Sequence, residues 1–426
     1  MIFKSDKFKA QWDTWAYFND GTYYLYYLVT EDSPGEGFGV AVSKDGVHWD
    51  DCGWAVRASD KMRRYLGSGA VWKSADFEEN GRFICNYSEY REDGTGKITQ
   101  NIYFAWSTDL VNWTKYGDDH VFLINEDYYE RYGRWDNVFP IPRKNGGYDG
   151  VWVGTPKGQD DLEGGIAFGY SEDGLKWHAV APAQVIPEAK EAGGLWPFDG
   201  RYFGMFGSPQ NGIAAYVADK INGPYKPQYK NSILFAPKHS YFPRYLEKTD
   251  EILVVHHAMS GRGHQGKQSR AVTYVAPHKK TELDEEGILR LKYWKGNEAL
   301  KGKSVDLDHS ALDFSKGLIV EAGMETPCNI SFYADDIKYD LCIDKEGRAS
   351  IERFAASDSS GEKIMSVDRE KSFGERVDIR LFLRLGMLEF YLNDEFMECC
   401  VLECPEAQTI RMEENLKGAK AWEMSL

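Results

Sequence analysis

The sequence predicts an all-β protein: a five-bladed β-propeller followed by a C-terminal β-sandwich. Three observations carry this prediction. The first is composition. Of 426 residues, 13 are Trp, 26 Tyr and 22 Phe, with 42 Gly and only 15 Pro. Aromatics at 14% suit strands, and the glycines suit tight turns between them. The second is an internal repeat in the first half. The third is a change of character in the second half, where Trp falls away after Trp294 and only Trp422 remains.

The repeat defines the blades. Ser43-Lys44-Asp45-Gly46-Val47-His48-Trp49 returns as Ser107-Thr108-Asp109-Leu110-Val111-Asn112-Trp113 and again as Ser171-Glu172-Asp173-Gly174-Leu175-Lys176-Trp177. The serines are spaced by 64 residues. A degenerate fourth copy runs from Ala218 to Tyr225. Each copy follows a strand-like run, and Ser and Asp are the side chains that close turns on their own backbone. A fixed period of strand-rich units means an array, and a four-stranded blade fits the period. A diverged fifth unit over about 232–285 completes the propeller, assigned to 1–285. The charged stretch 286–308 reads as a linker. Within 309–426, short alternating runs such as Cys328–Ala334, Val377–Arg384 and Met387–Asn393 are separated by Gly, Asn and Asp, the pattern of a sandwich.

Charge narrows the partners. The net charge is −16, which opposes nucleic acid and anionic membrane, since both require a cationic footprint. No apolar run reaches the ~18 residues of a membrane-spanning helix, and the N-terminal residues lack a signal-peptide pattern. Seven cysteines, an odd number without zinc-finger spacing, read as free thiols in a reducing cytoplasm. Oligomeric state is not legible. No cofactor and no metal are expected.

Three acids sit in phase with the repeat. Asp13 lies 30 residues ahead of Ser43, Asp136 lies 35 ahead of Ser171, and Glu191 lies 26 ahead of Val217, the serine place of the fourth copy. Those positions open the innermost strand of three blades, so the carboxyls converge on one axial pocket. Trp12, Trp15, Trp135 and Trp196 stand beside them. Close carboxylates and aromatic walls both push a carboxyl pKa upward. One neutral acid beside an ionised carboxylate is what glycosidic cleavage needs, and aromatic walls suit the apolar faces of sugars. Arg134 is placed to orient Asp136 or to clamp a hydroxyl.

Several segments resemble glycoside hydrolase family 32, the β-fructosidases, within the furanosidase superfamily that includes families 43 and 68. Phe38–Trp49 is similar to that family's WGHAVSxDLVHW stretch, Tyr65–Val71 to its FSGSAV segment, and Gln100–Ser107 to its QNLAYS segment, in the same order. Leu381–Arg384 with Leu388–Asp394 is similar to a strand pair of its C-terminal sandwich. The resemblance implies a retaining exo-glycosidase acting on a small fructoside or related furanoside. It implies Asp13 as nucleophile, Asp136 as transition-state stabiliser and Glu191 as acid/base. It also implies Ser68 and Gln100 as substrate contacts beside the four tryptophans and Arg134. The motifs depart from the family. Gln11-Trp12-Asp13-Thr14-Trp15 replaces the NDPNG motif, Arg134-Trp135-Asp136 inserts a Trp into RDP, and Glu191-Ala192-Gly193-Gly194 lacks the Cys that follows the acid. The acids persist among altered neighbours, which implies kept chemistry on an unusual substrate.

Other readings remain open from sequence alone. One is an inverting family-43-like arabinofuranosidase or xylosidase, and another is a fructosyltransferase. A sugar-binding propeller would bind without turnover and would be indifferent to Glu191→Gln. His256, His257 and His264 read as packed or surface side chains. Arg262, Lys267 and Arg270 read as a solvated loop that could otherwise meet a phosphorylated sugar.

Overall fold

A computed structural model describes the chain except for residues 33–34, 160–163, 183–185, 187–188, 209, 231–232, 261–271, 308–309, 355–360, 405, 414–415 and 417, and the side chains at 260 and 272. His264, Arg262, Lys267 and Arg270 lie outside the described residues. The fold is all-β, propeller and sandwich. The described residues form two compact units, Ser5–Gln228 with Phe242–His256, and Met1–Lys4 with Tyr229–Tyr241 and His257–Leu426.

The first unit is built of antiparallel sheets in series. The first blade pairs β1 (Ala10–Asn19), β2 (Thr22–Thr30), β3 (Gly37–Ser43) and β4 (Asp50–Arg57) in sequence order. In the second blade the inner strand is split into β5 (Met62–Leu66) and β6 (Val71–Lys73), both paired with β7 (Phe83–Glu92), followed by β8 (Ile98–Ser107) and β9 (Thr114–Lys115). The third blade is β10 (Trp135–Pro142), β11 (Tyr148–Gly154), β12 (Ile166–Ser171) and β13 (Trp177–Ala179). The fourth is β14 (Glu191–Phe198), β15 (Arg201–Ser208), β16 (Gly212–Ala218) and β17 (Lys226–Pro227). The neighbouring strands β18 (Ser240–Lys248) and β19 (Glu251–Ser260) follow, and their Phe242–His256 portion belongs to this unit. The first hairpins of blades one and four turn on Asp20-Gly21 and Asp199-Gly200. Both residues of each pair have positive φ, the primed turn that matches strand twist.

The repeat is a turn closed by its own side chains. The Ser43 hydroxyl accepts from Gly46 N–H at 2.8 Å, and Asp45 Oδ1 accepts from Val47 and His48 N–H at 3.0 and 2.9 Å. Ser107 with Asp109 and Ser171 with Asp173 repeat the same bonds. The last residue of the repeat then seals the seam to the preceding blade. Trp113 meets Tyr26 edge-on at 6.0 Å, and Trp177 meets Trp72 at 6.2 Å. The degenerate fourth copy does the same with a Tyr, since Tyr225 stacks on Phe168 at 6.0 Å.

The second unit has two sheets around a core that includes Val320, Ile330, Phe332, Leu341, Leu381 and Phe390. One sheet runs Lys279–Leu283, Leu289–Tyr293, Glu395–Val401, Met387–Leu392, Arg376–Arg384, Leu318–Glu325, Lys420–Met424 and Lys301–Ser304. The other holds Leu312–Asp313, Thr409–Met412, Cys328–Ala334, Ile337–Ile343, Arg348–Phe354 and Glu362–Asp368. The expected linker contributes two strands of the first sheet, Leu289–Tyr293 and Lys301–Ser304, with a 3-10 helix, Lys295–Leu300, between them. Leu289 and Leu291 alternate inward and are buried, a period-2 signal hidden among charged neighbours.

Candidate active site

A β-bulge lies at each of the three acids. Trp12 pairs with Leu28 and Thr14 with Tyr27, so Asp13 is the extra residue, held at φ +43°. In β10 the register breaks directly after Asp136, and Asn137 takes φ +66°. In β14 it breaks after Ala192, one residue past Glu191. Bulges bend a strand and re-aim its side chains. Here they interrupt pairing at the start of three inner strands, at Asp13 itself and just beyond Asp136 and Glu191.

The second blade contributes backbone instead of an acid. Its inner strand is interrupted at Gly67-Ser68-Gly69. A Cβ on Gly67 would lie 2.4 Å from Ser88 Oγ and 2.6 Å from Asp136 Oδ1. On Gly69 it would lie 1.8 Å from Asn86 O. Only glycine permits this approach.

Polar bonds tie the site together. Arg134 donates to Asp136 Oδ2 at 3.1 Å and to Glu191 Oε1 and Oε2 at 3.0 and 3.4 Å, joining two acids through one guanidinium. Ser88 Oγ donates to Asp136 Oδ1 at 2.7 Å. Gln100 lies behind it, giving its amide N–H to Ser88 at 2.9 Å and accepting from Trp135 N–H at 3.1 Å. Asn86 holds the bulge by donating to Val138 O at 2.7 Å.

The charges are coupled. Burial pushes the Asp13 carboxyl up to about 8, Glu191 and Asp136 add to the rise, and Arg244 and Arg134 oppose it. The Arg134 guanidinium is held firmly charged: the anions Glu191 and Asp136 and the tyrosines Tyr65 and Tyr90 outweigh the cost of its burial. Around neutral pH burial thus favours the protonated form of Asp13.

The residues expected from sequence separate into groups. Asp136, Glu191 and Arg134 come together by direct bonds, and Asp13 joins them by charge. Ser68 is buried within the glycine loop. Gln100 is fully buried with both ends of its amide engaged, so it orients Asp136 through Ser88 and does not face a substrate. Trp135 is also fully buried. Its indole donates to Phe122 O and packs against Phe122, Tyr129 and Trp152, so it is core and cannot touch a sugar. Trp12 is partly exposed beside Asp13. Trp15 and Trp196 line a cavity of about 540 Å³ with Tyr17, Trp72, Arg244 and Tyr245. That cavity lies further along the same inner strands than the acids. His256 and His257 are buried in β19.

Four residues were missed: Ser88, Tyr65, Tyr90 and Arg244. The Tyr65 and Tyr90 hydroxyls are 3.2 Å apart, and both feel the charges of Arg134 and Asp136. The pairing register signals Tyr90, since it sits opposite Gln100. Arg244 lies in a strand whose blade has no readable repeat, so nothing in the sequence marks its phase.

Comparison with known proteins follows this geometry. Residues 11–197 match the family described as glycosyl hydrolases family 32 N-terminal domain. No curated protein matches the sequence. Sucrose-6-phosphate hydrolase from Lactobacillus gasseri is similar in structure, with a TM-score of 0.73 at 14% identity over 99% of this chain and 94% of that one. The Bombyx mori family 32 β-fructofuranosidase gives 0.70 at 13% identity, over 97% and 91%. The Schwanniomyces occidentalis β-fructofuranosidase complexed with fructosyl-erythritol gives 0.67 at 13%, over 100% and 97%. Residues 11–197 thus match a family 32 N-terminal domain, the chain shares its fold along nearly its whole length with such enzymes, and it is a glycosidase acting on O-glycosyl bonds.

Proposed function

We propose that the protein is a retaining exo-glycosidase that cleaves a small fructoside or related furanoside. The observation that carries this reading is the Arg134 bridge between Asp136 and Glu191, with Asp13 coupled to both by charge. Asp13 attacks the anomeric carbon, Glu191 protonates the leaving oxygen and then activates water, and Asp136 steadies the oxocarbenium-like sugar. The reaction needs one proton and one anion. In the sugar-free state burial favours the proton on Asp13, the nucleophile, while Arg134 pairs with Glu191. Cleavage needs the opposite arrangement. Productive binding therefore loosens the Arg134–Glu191 pair as a sugar oxygen takes its place.

A reducing, cytoplasmic location and a role in fructan-derived carbohydrate metabolism belong to the same proposal. The seven cysteines, none of them in a disulfide, support it, as does the −16 charge, which disfavours polyanionic partners. An imported di- or trisaccharide then suits the enzyme better than a polymer.

The test is release of reducing sugar from sucrose, its 6-phosphate, kestose, inulobiose, and aryl arabinosides and xylosides. The wild type is run beside Asp13→Asn and Glu191→Gln. Fructoside turnover lost by ~10³-fold or more in both variants supports the assignment. Turnover confined to arabinosides or xylosides overturns the substrate class. Activity surviving both substitutions overturns the acids. The anomer first released, followed by NMR, decides retention.

A further inference from the structure

Arg244 is a fully charged side chain with only 1% of its surface exposed. It stands in β18, beyond the last readable copy of the repeat. Its Nη1 donates to Ala192 O at 2.7 Å and to Pro243 O at 3.1 Å, and its guanidinium lies 3.6 Å from the centre of the Phe242 ring. Ala192 follows Glu191 directly and opens the bulge of β14. The arginine therefore pins the backbone that carries Glu191. The same side chain forms part of the cavity wall with Trp15 and Trp196.

A buried cation needs an anion within reach of its field. Five charged groups meet here: Asp13 from β1, Arg134 and Asp136 from the third blade, Glu191 from β14, and Arg244 from β18. Arg134 is committed to Asp136 and Glu191 through its bonds. Arg244 is the larger of the two positive influences on Asp13.

We propose that Arg244 is a positioning residue for the glycosidic reaction, fixing the bulge that presents Glu191 and supplying the positive charge that offsets the Asp13 carboxylate. This inference rests on the reading of Asp13 and Glu191 as the catalytic pair. Lysine keeps the charge but lacks the planar guanidinium that lies over the Phe242 ring. Methionine keeps much of the stem and removes the charge.

The experiment compares wild type, Arg244→Lys and Arg244→Met. It measures kcat and KM against pH on any substrate the wild type turns over, and thermal unfolding against pH with Asp13→Asn alongside. For Arg244→Met, kcat falls by about 10²-fold or more while KM stays within about threefold. The acidic limb of its kcat/KM profile moves alkaline by about one pH unit or more, because Asp13 ionises less readily. Arg244→Lys returns the limb towards its wild-type position. In unfolding, the pH-dependent loss of stability extends to higher pH in Arg244→Met and vanishes in Asp13→Asn. A lowered Tm with unmoved limb and unmoved unfolding profile overturns the proposal and leaves a structural role. If Arg244→Met does not fold, Arg244→Lys and Arg244→Gln carry the comparison. The unfolding titration needs no substrate. It therefore decides the Arg244–Asp13 coupling even where the panel above disproves the catalytic reading.

Discussion

Asp13 is the residue on which strain, burial and chemistry meet. Its φ of +43° lies in the left-handed region, which aspartate tolerates better than most side chains. The bulge gives the carboxyl its place, and burial beside Glu191 and Asp136 raises its pKa to about 8. The consequence for stability has a definite sign. In the unfolded chain Asp13 ionises near the ordinary carboxylate value of 3.8, so between about pH 4 and 8 the folded state holds a proton that the unfolded state has lost. This contribution is complete below pH 4 and disappears as pH rises through about 8, with a slope of at most about 1.4 kcal/mol per pH unit. Asp13→Asn should flatten that part of the unfolding profile, measured by denaturant titration across the range. Gly67 permits a test of a different kind. A methyl there would meet Ser88 Oγ and Asp136 Oδ1 well inside van der Waals contact. Asp136 and Ser88 would have to shift, so Gly67→Ala should lower kcat by about 10²-fold or more while far-UV circular dichroism stays unchanged. Unaltered kinetics would mean that the loop yields and that Asp136 need not hold its position.

At the scale of the element, the repeated turn is what recurs most faithfully. Each copy spends one serine and one aspartate on at least three backbone N–H groups, so the turn is specified locally whatever packs on it. The copies are not equal. The residue after the aspartate is Gly46 in the first and Gly174 in the third, at φ +82° and +78°, but Leu110 in the second at +64°. Leu110 accepts left-handed strain because its side chain is buried in the core shared by the first two blades. Its carbonyl also accepts the Tyr26 hydroxyl at 2.7 Å. The second turn therefore leans hardest on Asp109. Asp109→Ala removes the acceptor of Val111 and Asn112 N–H and should cost about 1–2 kcal/mol. Leu110→Gly relieves the backbone but opens a core cavity, and it should still destabilise, by about 2 kcal/mol. Thermal unfolding of both variants checks the ranking. A stabilised Leu110→Gly would show that strain outweighs packing at this turn.

At the scale of the whole molecule, what was legible is what repeats. The 64-residue spacing exposed the blades, and counting back from it found three acids, two of which bond to Arg134 while the third, Asp13, is coupled to them by charge. What was not legible lacked a period. Arg244 sits in the diverged blade, where no copy of the turn fixes its phase. Trp135 was misread because its flanking residues point into the site while it alternates to the other side of the strand, into a core of Phe122, Tyr129 and Trp152. The linker was misread because charges at Arg290, Lys292 and Glu282 mask the alternation that buries Leu289 and Leu291. Those charges are themselves structural. Arg290 bonds Asp284 at 2.8 Å and Glu395 at 3.1 Å, so a charged composition here marks buried pairing and not solvent. Lys279 and Glu389 take the same device to its limit. They are 2.7 Å apart with neither side chain exposed, and Tyr391 donates to the same carboxylate. Such a pair recovers little net energy over an apolar substitute, yet half of it alone leaves an uncompensated buried charge. Lys279→Met should therefore destabilise the sandwich unit by about 3–5 kcal/mol, and Lys279→Met with Glu389→Leu should recover most of the loss. The measurement is the double-mutant cycle in thermal unfolding of the full chain, with Glu389→Leu closing the fourth corner. Additive losses would mean that the two charges stabilise independently. A recovering double variant would mean that the acidic composition of this half hides an apolar core with polar pairs set inside it.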